Sequence, residues 1–335
     1  MRVYIIAEAG VNHNGNIDNA IKLIDEAKKK GCDCIKFQTY QTEKLVTKTA
    51  PKAEYQVKNT KNKDTQFEML KKLELGFEDF DKIKKHCDEV EIDFMSTPFD
   101  CDSVDMLEKI GVSVYKIASG DITNKQLLQH VAQTQKPIIL STGMSTLEEI
   151  AEAISWIEEK DNFQITLLHC TSNYPAPYSE VNMKAMHTIR DEFSYPVGYS
   201  DHTEGIEIPI MAAAMGAKVL EKHFTLDKNM EGPDHKASLD VEELGNMVSA
   251  VRHIELAQGD GNKIPTESEL NTRMVARKSI VATRKLMKGE RIERKDLTIK
   301  RPGTGIEPKY IDDLLGRLVV RTIDLDEMLL WEDVK

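Results

Sequence analysis

Two short segments of the sequence each carry a histidine directly after a charged residue. They are Ser200-Asp201-His202 and Glu221-Lys222-His223. Imidazole nitrogens bind divalent cations, and neighbouring carboxylates can orient the rings. A histidine pair without thiolates suits Mn²⁺, Mg²⁺, Co²⁺ and Zn²⁺ alike. We therefore predict that His202 and His223 hold one divalent cation; the alternative is that both are ordinary core histidines.

Two lysines, Lys36 and Lys116, lie inside short apolar segments. A buried ammonium group needs an anionic partner. Salt bridges to Glu8 or Glu221 are one explanation, and a bound phosphate and carboxylate are another. Such a ligand would also use neighbouring hydroxyl groups, those of Thr97, Ser119 and Ser141. A third option is a Schiff-base lysine with a lowered pKa, but metal-dependent carbon–carbon chemistry needs no imine.

The elements that must position these residues form a repeating pattern. Short β-branched runs alternate with polar turns and with helical stretches whose apolar residues recur every three to four positions. The eight runs are 4–7, 34–37, 94–97, 114–117, 137–140, 165–168, 197–200 and 219–222. Strands that alternate with helices pair in parallel, so the pattern predicts a closed (β/α)8 barrel at 1–258. A doubly wound open sheet is the alternative, but no GxGxxG motif follows the first run.

Polar side chains stand at or just after the end of every run. They are Glu8, Lys36, Gln38, Thr97, Lys116, Ser119, Ser141, Thr142, His169, Ser200, His202, Glu221 and His223. In a parallel barrel these ends gather at one face, where the active sites of barrel enzymes lie. We therefore expect one functional site at that face.

The connection 40–66 is long for a loop between a strand and a helix. Long loops of this kind are usually functional or mobile. Its basic and aromatic residues favour a lid over a polar ligand; they are Lys44, Lys48, Lys52, Tyr55 and Lys58. A solvated surface excursion is the alternative.

The pattern changes after the barrel. Residues 259–275 have the composition of a linker, and residues 276–335 show short strands and turns, which predicts a small β-rich domain. From residue 277 onward the chain has 14 of its 45 basic and 11 of its 56 acidic side chains, so this segment has a net charge of +3 and the rest −14. A basic domain of this kind suits docking on an acidic body; ordinary surface variation is the alternative.

Composition limits the cellular setting and the partners. The net charge of −11 disfavours nucleic acid. No apolar run reaches the roughly eighteen residues of a membrane span, and the N-terminus meets Glu8 too early for a signal peptide. Five cysteines without a CxxC pair suit a reducing compartment. We expect a cytoplasmic protein that binds neither nucleic acid nor membrane.

Ten barrel motifs, taken in order, resemble those of the sialic acid synthases. They are IAEAGVNHNG at 6–15, KFQT at 36–39, STPFD at 96–100, YKIASG at 115–120, LSTGM at 140–144, HCT at 169–171, YP at 174–175, GYSDHT at 198–203, EKHFT at 221–225 and GPDH at 232–235. Three more resemble the antifreeze-like (SAF) domain of these synthases, namely RKSI at 277–280, KGE at 288–290 and KRPGTG at 300–305. The resemblance implies a TIM barrel followed by a SAF (β-clip) domain.

The resemblance also implies a reaction. Phosphoenolpyruvate would condense with N-acetylmannosamine and water, giving N-acetylneuraminate and phosphate by carbon–carbon bond formation and carbon–oxygen cleavage. Legionaminic acid synthases share almost every motif and take 2,4-diacetamido-2,4,6-trideoxymannose, so they are the alternative, and we favour N-acetylmannosamine. The expected cation is Mn²⁺, with Mg²⁺ or Co²⁺ as alternatives. A Schiff-base aldolase using Lys116, a sugar-phosphate sensor and an ice-binding protein fit the motifs less well.

Residue roles follow from the same resemblance. Phosphoenolpyruvate would bind six residues: Lys36, Thr97, Lys116, Ser119, Ser141 and Ser200. The sugar would contact Gln38, Tyr174 and Arg301. Glu8 is the first choice for proton transfer, with Asp234 second. In the family the SAF domain is exchanged within a homodimer and lends an arginine to the partner's site, which implies this role for Arg301. Ser172 stands where some members carry an amide near the phosphate.

Overall fold

Eight parallel strands close into a barrel in the computed structural model, which describes residues 2–60 and 64–335. The strands are Tyr4–Gly10 (β1), Cys34–Thr39 (β2), Asp93–Pro98 (β3), Tyr115–Ile117 (β4), Ile138–Ser141 (β5), Ile165–Cys170 (β6), Val197–Asp201 (β7) and Val219–His223 (β8). Each of the eight predicted runs overlaps one strand, with 114–117 and 137–140 beginning one residue early, and β1 pairs with both β2 and β8. The predicted barrel is confirmed.

Helices follow the strands, and most of them bury their apolar faces against the outside of the sheet. The helices are Ile17–Lys29 (α1), Thr42–Leu45 (α2), Glu54–Thr60 (α3), Gln66–Leu73 (α4), Phe77–Glu89 (α5), Cys101–Ile110 (α6), Lys125–Gln133 (α7), Leu147–Glu158 (α8), Ala185–Phe193 (α9), Glu207–Ala214 (α10) and Val241–Ala257 (α11). Of these, α2, α3 and α4 belong to the long connection after β2. Capping defines several starts: in α8, Thr146 accepts from the N–H of Glu149 while the Glu149 side chain accepts from the Thr146 N–H.

Side chains inside the barrel form two layers, because alternate residues of a strand point to the same side. The apolar layer consists of Ile6, Cys34, Met95, Ile139, Leu168 and Val219. The polar layer lies two residues further along the same strands and consists of Glu8, Lys36, Thr97, Ser141, Cys170 and Glu221. The apolar layer thus closes the floor beneath the carboxyl ends of the strands, and the polar layer forms a site above it.

The long connection after β2 contains the short helices α2 and α3. Tyr55 of α3 stacks on Tyr174, with ring centroids 5.1 Å apart, and Asn59 Nδ2 donates to the Pro233 carbonyl oxygen at 2.6 Å. Lys58's side chain and residues 61–63, which belong to the predicted lid, lie outside the described residues. The described part of the connection therefore packs against the loops after β6 and β8.

The chain divides into two compact units, Met1–Gly259 and Asp260–Lys335. The second unit contains a helix, Glu267–Ala276 (α12), and an antiparallel pair, Ser279–Ala282 (β9) and Leu297–Lys300 (β10). Its core consists of Ile280, Ala282, Leu286, Ile292, Leu297, Ile306, Leu314, Val319, Ile323, Leu329 and Val334. The small β-rich fold is as predicted. Much of the 259–275 segment is helical, because Thr266 and Glu269 form a capping box.

Within residues 2–60 and 64–335, none of the helices combines the length and apolar composition that crossing a bilayer requires.

Candidate active site

One cavity of about 310 Å³ opens at the carboxyl ends of the barrel strands. Eleven of the thirteen predicted site residues line it: Glu8, Lys36, Gln38, Thr97, Lys116, Ser119, Ser141, Tyr174, Ser200, His202 and His223. Glu221, Ser172, Phe99 and Met144 also line the cavity. Side chains from distant parts of the sequence therefore meet as the strand order predicts.

Two ammonium groups and two carboxylates form the charged centre of this cavity. Lys36 Nζ lies 2.8 Å from Glu8 Oε2 and 3.8 Å from Glu221 Oε2, while Lys116 Nζ lies 3.5 Å from Glu221 Oε1. All four side chains are buried. The internal salt bridges considered above are therefore present, and Glu221 links the two lysines.

The two carboxylates ionise differently. Burial raises the pKa of Glu8 to about 7, although the neighbouring Lys36 acts to lower it. Burial would also raise the pKa of Glu221, but Lys116 and Lys36 together lower it to about 2. Desolvation likewise lowers the pKa of Lys116. Paired carboxyl groups whose pKa values are pushed apart are suited to different roles, so Glu8 is the group that can exchange a proton near neutral pH.

The two imidazoles stand side by side, with ring centroids 5.5 Å apart. His202 Nδ1 lies 2.7 Å from the Thr171 carbonyl oxygen, which can only accept, so Nδ1 carries the hydrogen and Nε2 keeps its lone pair. His223 Nδ1 is buried without a hydrogen-bond partner. Burial lowers the pKa of both rings, so both are neutral at pH 7. The expected carboxylate does not orient His202; a backbone carbonyl does.

The neutral imidazole pair fits a divalent cation. A buried nitrogen without a partner is an available ligand, and metal-binding histidines usually donate their other N–H to a carbonyl or carboxylate, as His202 does. In the described part of the chain, no group of three or more His, Cys, Asp or Glu side chains is arranged to hold a metal. A cation here would therefore need further oxygen ligands from water or substrate.

Hydroxyl groups also cluster around Gly143, just after β5. The Gly143 N–H donates to Ser119 Oγ at 2.9 Å, and Ser119 Oγ lies 3.2 Å from Cys170 Sγ. A Cβ at residue 143 would collide with Ser172 Oγ and would lie 2.9 Å from both Ser119 Oγ and Cys170 Sγ. Ser141 Oγ is buried without a partner. Glycine thus keeps these small polar groups close together beside Lys116.

Tyr174 forms the wall between the imidazoles and the long connection. Its ring centroid lies 4.2 Å from that of His202 and 5.7 Å from that of His223. Tyr55 covers its other side. The aromatic groups therefore make one continuous surface beside the candidate cation position.

Two predicted residues do not line the cavity. Asp234 is buried with one carboxylate oxygen unpartnered, and burial raises its pKa to about 6. Arg301 belongs to the second unit, where its side chain is exposed.

Comparison with known proteins identifies the family. The model of the NeuB family matches residues 23–263, and the model of the SAF domain matches residues 277–335. The chain belongs to the NeuB family. The predicted membership of the sialic acid synthase family and the SAF domain are thereby confirmed.

Several NeuB-family relatives align over nearly the whole chain. The N,N'-diacetyllegionaminic acid synthase of Legionella pneumophila is 48% identical over 100% of this chain and 95% of its own length. The Campylobacter jejuni protein of the same name is 46% identical over 98% of this chain and 99% of its own. A crystal structure of N-acetylneuraminic acid (sialic acid) synthetase from Leptospira borgpetersenii, in complex with citrate, has a TM-score of 0.72 and 36% identity, covering 81% of this chain and 90% of its own.

The sequence did not predict the part that some residues take in this NeuB-family site. Glu221 was expected at this face but was given no role beyond a salt bridge to a lysine, yet it contacts both lysines and accepts from Ser200 Oγ at 3.0 Å. Its place two residues before His223, on the same face of β8, is the signal that could have identified it. The arrangement around Gly143 had no such signal, because it depends on contacts between β4, β5 and β6.

Proposed function

We propose that this NeuB-family chain condenses phosphoenolpyruvate with an N-acetylated amino-hexose and water, releasing phosphate. The proposal is carried by one observation: two buried ammonium groups share a cavity with two neutral imidazoles. Nδ1 of His202 is hydrogen-bonded to a backbone carbonyl, whereas Nδ1 of His223 has no hydrogen-bond partner. The first pair suits a small anionic acid, and the second suits a cation that activates a carbonyl group.

Phosphoenolpyruvate would bind between Lys36, Lys116 and the hydroxyl groups near Gly143. Ser141 Oγ has no partner in its buried position, so a phosphate oxygen would satisfy it. Both lysines already face carboxylates, and an anionic ligand would add negative charge to a closed space. Protonation of Glu8, whose pKa of about 7 permits it, would offset this charge.

His202 and His223 would hold the divalent cation, with Mn²⁺ as our first choice. Such a cation acts as a Lewis acid that polarises the aldehyde oxygen of an open-chain sugar. Tyr174 would orient the sugar beside the imidazoles, and Gln38, which donates to Glu8 Oε1 at 3.2 Å, would contact it from β2.

The chain's own groups would then position the reaction. Held against each other, C3 of phosphoenolpyruvate would bond to the aldehyde carbon, and the aldehyde oxygen would gain a proton. Water would add to C2 and lose a proton, and the bond between C2 and the bridging oxygen would break as phosphate departs. Glu8 would donate the first of these protons and accept the second, because it lines the cavity and Asp234 does not.

For the acceptor we propose 2,4-diacetamido-2,4,6-trideoxymannose, with N-acetylmannosamine second. Both kinds of synthase share almost every motif, so the expectation of N-acetylmannosamine from the sequence does not rest on a motif that separates the two. Support for the diacetamido sugar comes from the two relatives named as N,N'-diacetyllegionaminic acid synthases, at 48% and 46% identity, against 36% for the sialic acid synthetase structure.

We also propose a homodimer in which the SAF domain of a second copy supplies Arg301 to the sugar. Its exposed guanidinium is available for a carbonyl oxygen of an N-acetyl group. Arg301→Ala should raise the acceptor KM and leave the KM for phosphoenolpyruvate and the melting temperature unchanged. An unchanged acceptor KM would reject this role.

The test of the main proposal is phosphate release from phosphoenolpyruvate with each sugar. We expect release that requires an amino-hexose, stops with EDTA and returns with Mn²⁺, and is faster with the diacetamido sugar. Release without any sugar, or none with either sugar, would contradict the synthase activity. Faster turnover with N-acetylmannosamine would reverse only the acceptor assignment.

A further inference from the structure

An ion pair is buried on the side of β7 and β8 that faces away from the cavity. Lys222 Nζ lies 2.5 Å from Asp201 Oδ2, and the two side chains are 1% and 0% exposed. The residues are partners in the strand register, as are Ser200 and Glu221, which point into the cavity. Alternation along the strands therefore places the ion pair behind the site and directly before both histidines.

The ion pair also contacts Thr203, so both sequence neighbours of His202 are tied to it. The Thr203 N–H and Oγ1 hydroxyl donate to Asp201 Oδ1 at 3.2 and 3.0 Å, and the Thr203 carbonyl oxygen accepts from Lys222 Nζ at 2.5 Å. The residues on both sides of His202 are thus attached to one ion pair. Because Lys222 precedes His223, the same contacts also set the distance between the two backbones that carry the rings.

Three other strands place apolar residues in the corresponding outward positions, directly after a residue that lines the cavity. On β1, β2 and β4 these are Ala9, Phe37 and Ile117, all within the core between sheet and helices. A buried ion pair is rarely more stable than well-packed apolar side chains, because both charges lose their hydration. Stability alone therefore does not account for charges at this place, whereas a requirement for fixed geometry does.

We infer that the Asp201–Lys222 ion pair is a positioning element that holds His202 and His223 at the separation required by a shared divalent cation. This inference rests on the cation site of the proposed function. Neither residue touches the cavity, so the pair acts through the histidines and through the Thr203 hydrogen bonds.

The experiment measures cation affinity of the metal-free enzyme by titration with Mn²⁺, following the electron paramagnetic resonance of the free ion. In the double variant Asp201→Asn/Lys222→Met both charges are removed together, so no buried charge is left unpaired. We expect its melting temperature to stay near that of the wild type, while the Kd for Mn²⁺ rises about 10- to 100-fold. Saturating Mn²⁺ should restore turnover.

A matched control lies at the opposite end of the barrel. Arg252 and Asp33 form an ion pair of 2.7 Å just before β2, with exposures of 23% and 13%. The double variant Asp33→Asn/Arg252→Met should bind Mn²⁺ as the wild type does, whatever its melting temperature. Equal loss of Mn²⁺ affinity in both double variants would show a general effect on the fold and overturn the inference.

Thr203→Val supplies a milder variant if the double variant does not fold. It removes the hydroxyl that donates to Asp201 but keeps the shape, and it should weaken Mn²⁺ binding by a smaller factor. Wild-type Mn²⁺ affinity in the folded double variant, or in Thr203→Val if only that variant folds, would overturn the positioning role alone. Absence of Mn²⁺ binding by the wild type would instead remove the cation site and the proposed function with it.

Discussion

The two layers inside the barrel lie on the same strands, two residues apart, yet they differ in polarity and in how fully their hydrogen-bonding groups are satisfied. The apolar layer, which includes Ile6 and Ile139, is buried with no polar requirement. The polar layer, which includes Glu8 and Ser141, contains atoms buried without hydrogen-bond partners. A layer optimised for stability would leave none. The comparison teaches that the apolar layer stabilises the barrel, while the polar layer keeps its binding capacity for a ligand.

Replacing Glu8 tests the polar layer most severely. Glu8→Gln keeps the shape but cannot transfer a proton, and we expect kcat to fall about 10²- to 10⁴-fold. Steady-state phosphate release measures this. A kcat within tenfold of wild type would remove Glu8 from the proton transfer and leave Asp234 as the candidate.

The pH dependence of binding checks the same carboxyl group independently. An anionic ligand favours protonated Glu8, so phosphoenolpyruvate affinity should fall with rising pH above about 7, by up to tenfold per unit. Glu8→Gln should show no such decline there, and it also serves as the control for the ligand's own ionisation. Calorimetric titrations of both proteins from pH 6 to 9 give the slopes; parallel slopes would contradict the assignment.

Truncating a side chain of the apolar layer should lower the stability of the fold and leave ligand binding unchanged. Ile139→Ala leaves a cavity beneath the site, and we expect a loss of about 2–5 kcal/mol in the free energy of unfolding. Affinity for phosphoenolpyruvate should be unchanged at temperatures well below melting. Denaturant unfolding and calorimetry measure the two quantities. A matching drop in affinity would mean that the layers are not separable.

Ser141 lies two residues after Ile139 on the same strand, and replacing it should affect ligand binding and not stability. Its hydroxyl has no partner, so Ser141→Ala should leave the free energy of unfolding unchanged or slightly higher. Losing a hydrogen bond to a charged phosphate should raise the Kd for phosphoenolpyruvate about 10- to 100-fold. The same two measurements apply, and unchanged affinity would place the phosphate elsewhere.

The smallest effect is expected outside both layers, at Tyr55. Removing its ring with Tyr55→Ala exposes one side of Tyr174 and should raise the acceptor KM about two- to tenfold, in line with about 0.5–1.5 kcal/mol for an aromatic pair. Tyr55→Phe keeps the stack and should behave as wild type. A change in the KM for phosphoenolpyruvate instead would show that the stack belongs to the other substrate.

Much of the barrel was predictable because each strand has a local signature. A β-branched run marks its position, and a polar residue at its end indicates the face that carries the site. Period-two alternation then places Glu8, Lys36 and Glu221 inside the barrel. The order of strands brings them together without further information.

Partnerships between elements were not predictable in the same way. Nothing near His202 in the sequence indicates that the Thr171 carbonyl fixes its ring, and Asp201, which seemed suited to that task, pairs with Lys222. The helix α12 also escaped prediction, because a Gly- and Pro-containing composition hid the capping box of Thr266 and Glu269. Such contacts depend on the final packing and not on local residue type.

The hydrogen bond from His202 to the Thr171 carbonyl links the candidate cation site to the short segment from Thr171 to Tyr174. Thr171 is followed by Ser172 and shortly by Tyr174, which both line the cavity, and we have proposed phosphate beside the first and the sugar beside the second. Fixing the ring therefore restrains a segment that would border both proposed substrates. By thermodynamic reciprocity, any factor by which the metal tightens substrate binding must equal the factor by which substrate tightens the metal. Cation and substrates would then be retained together and released together.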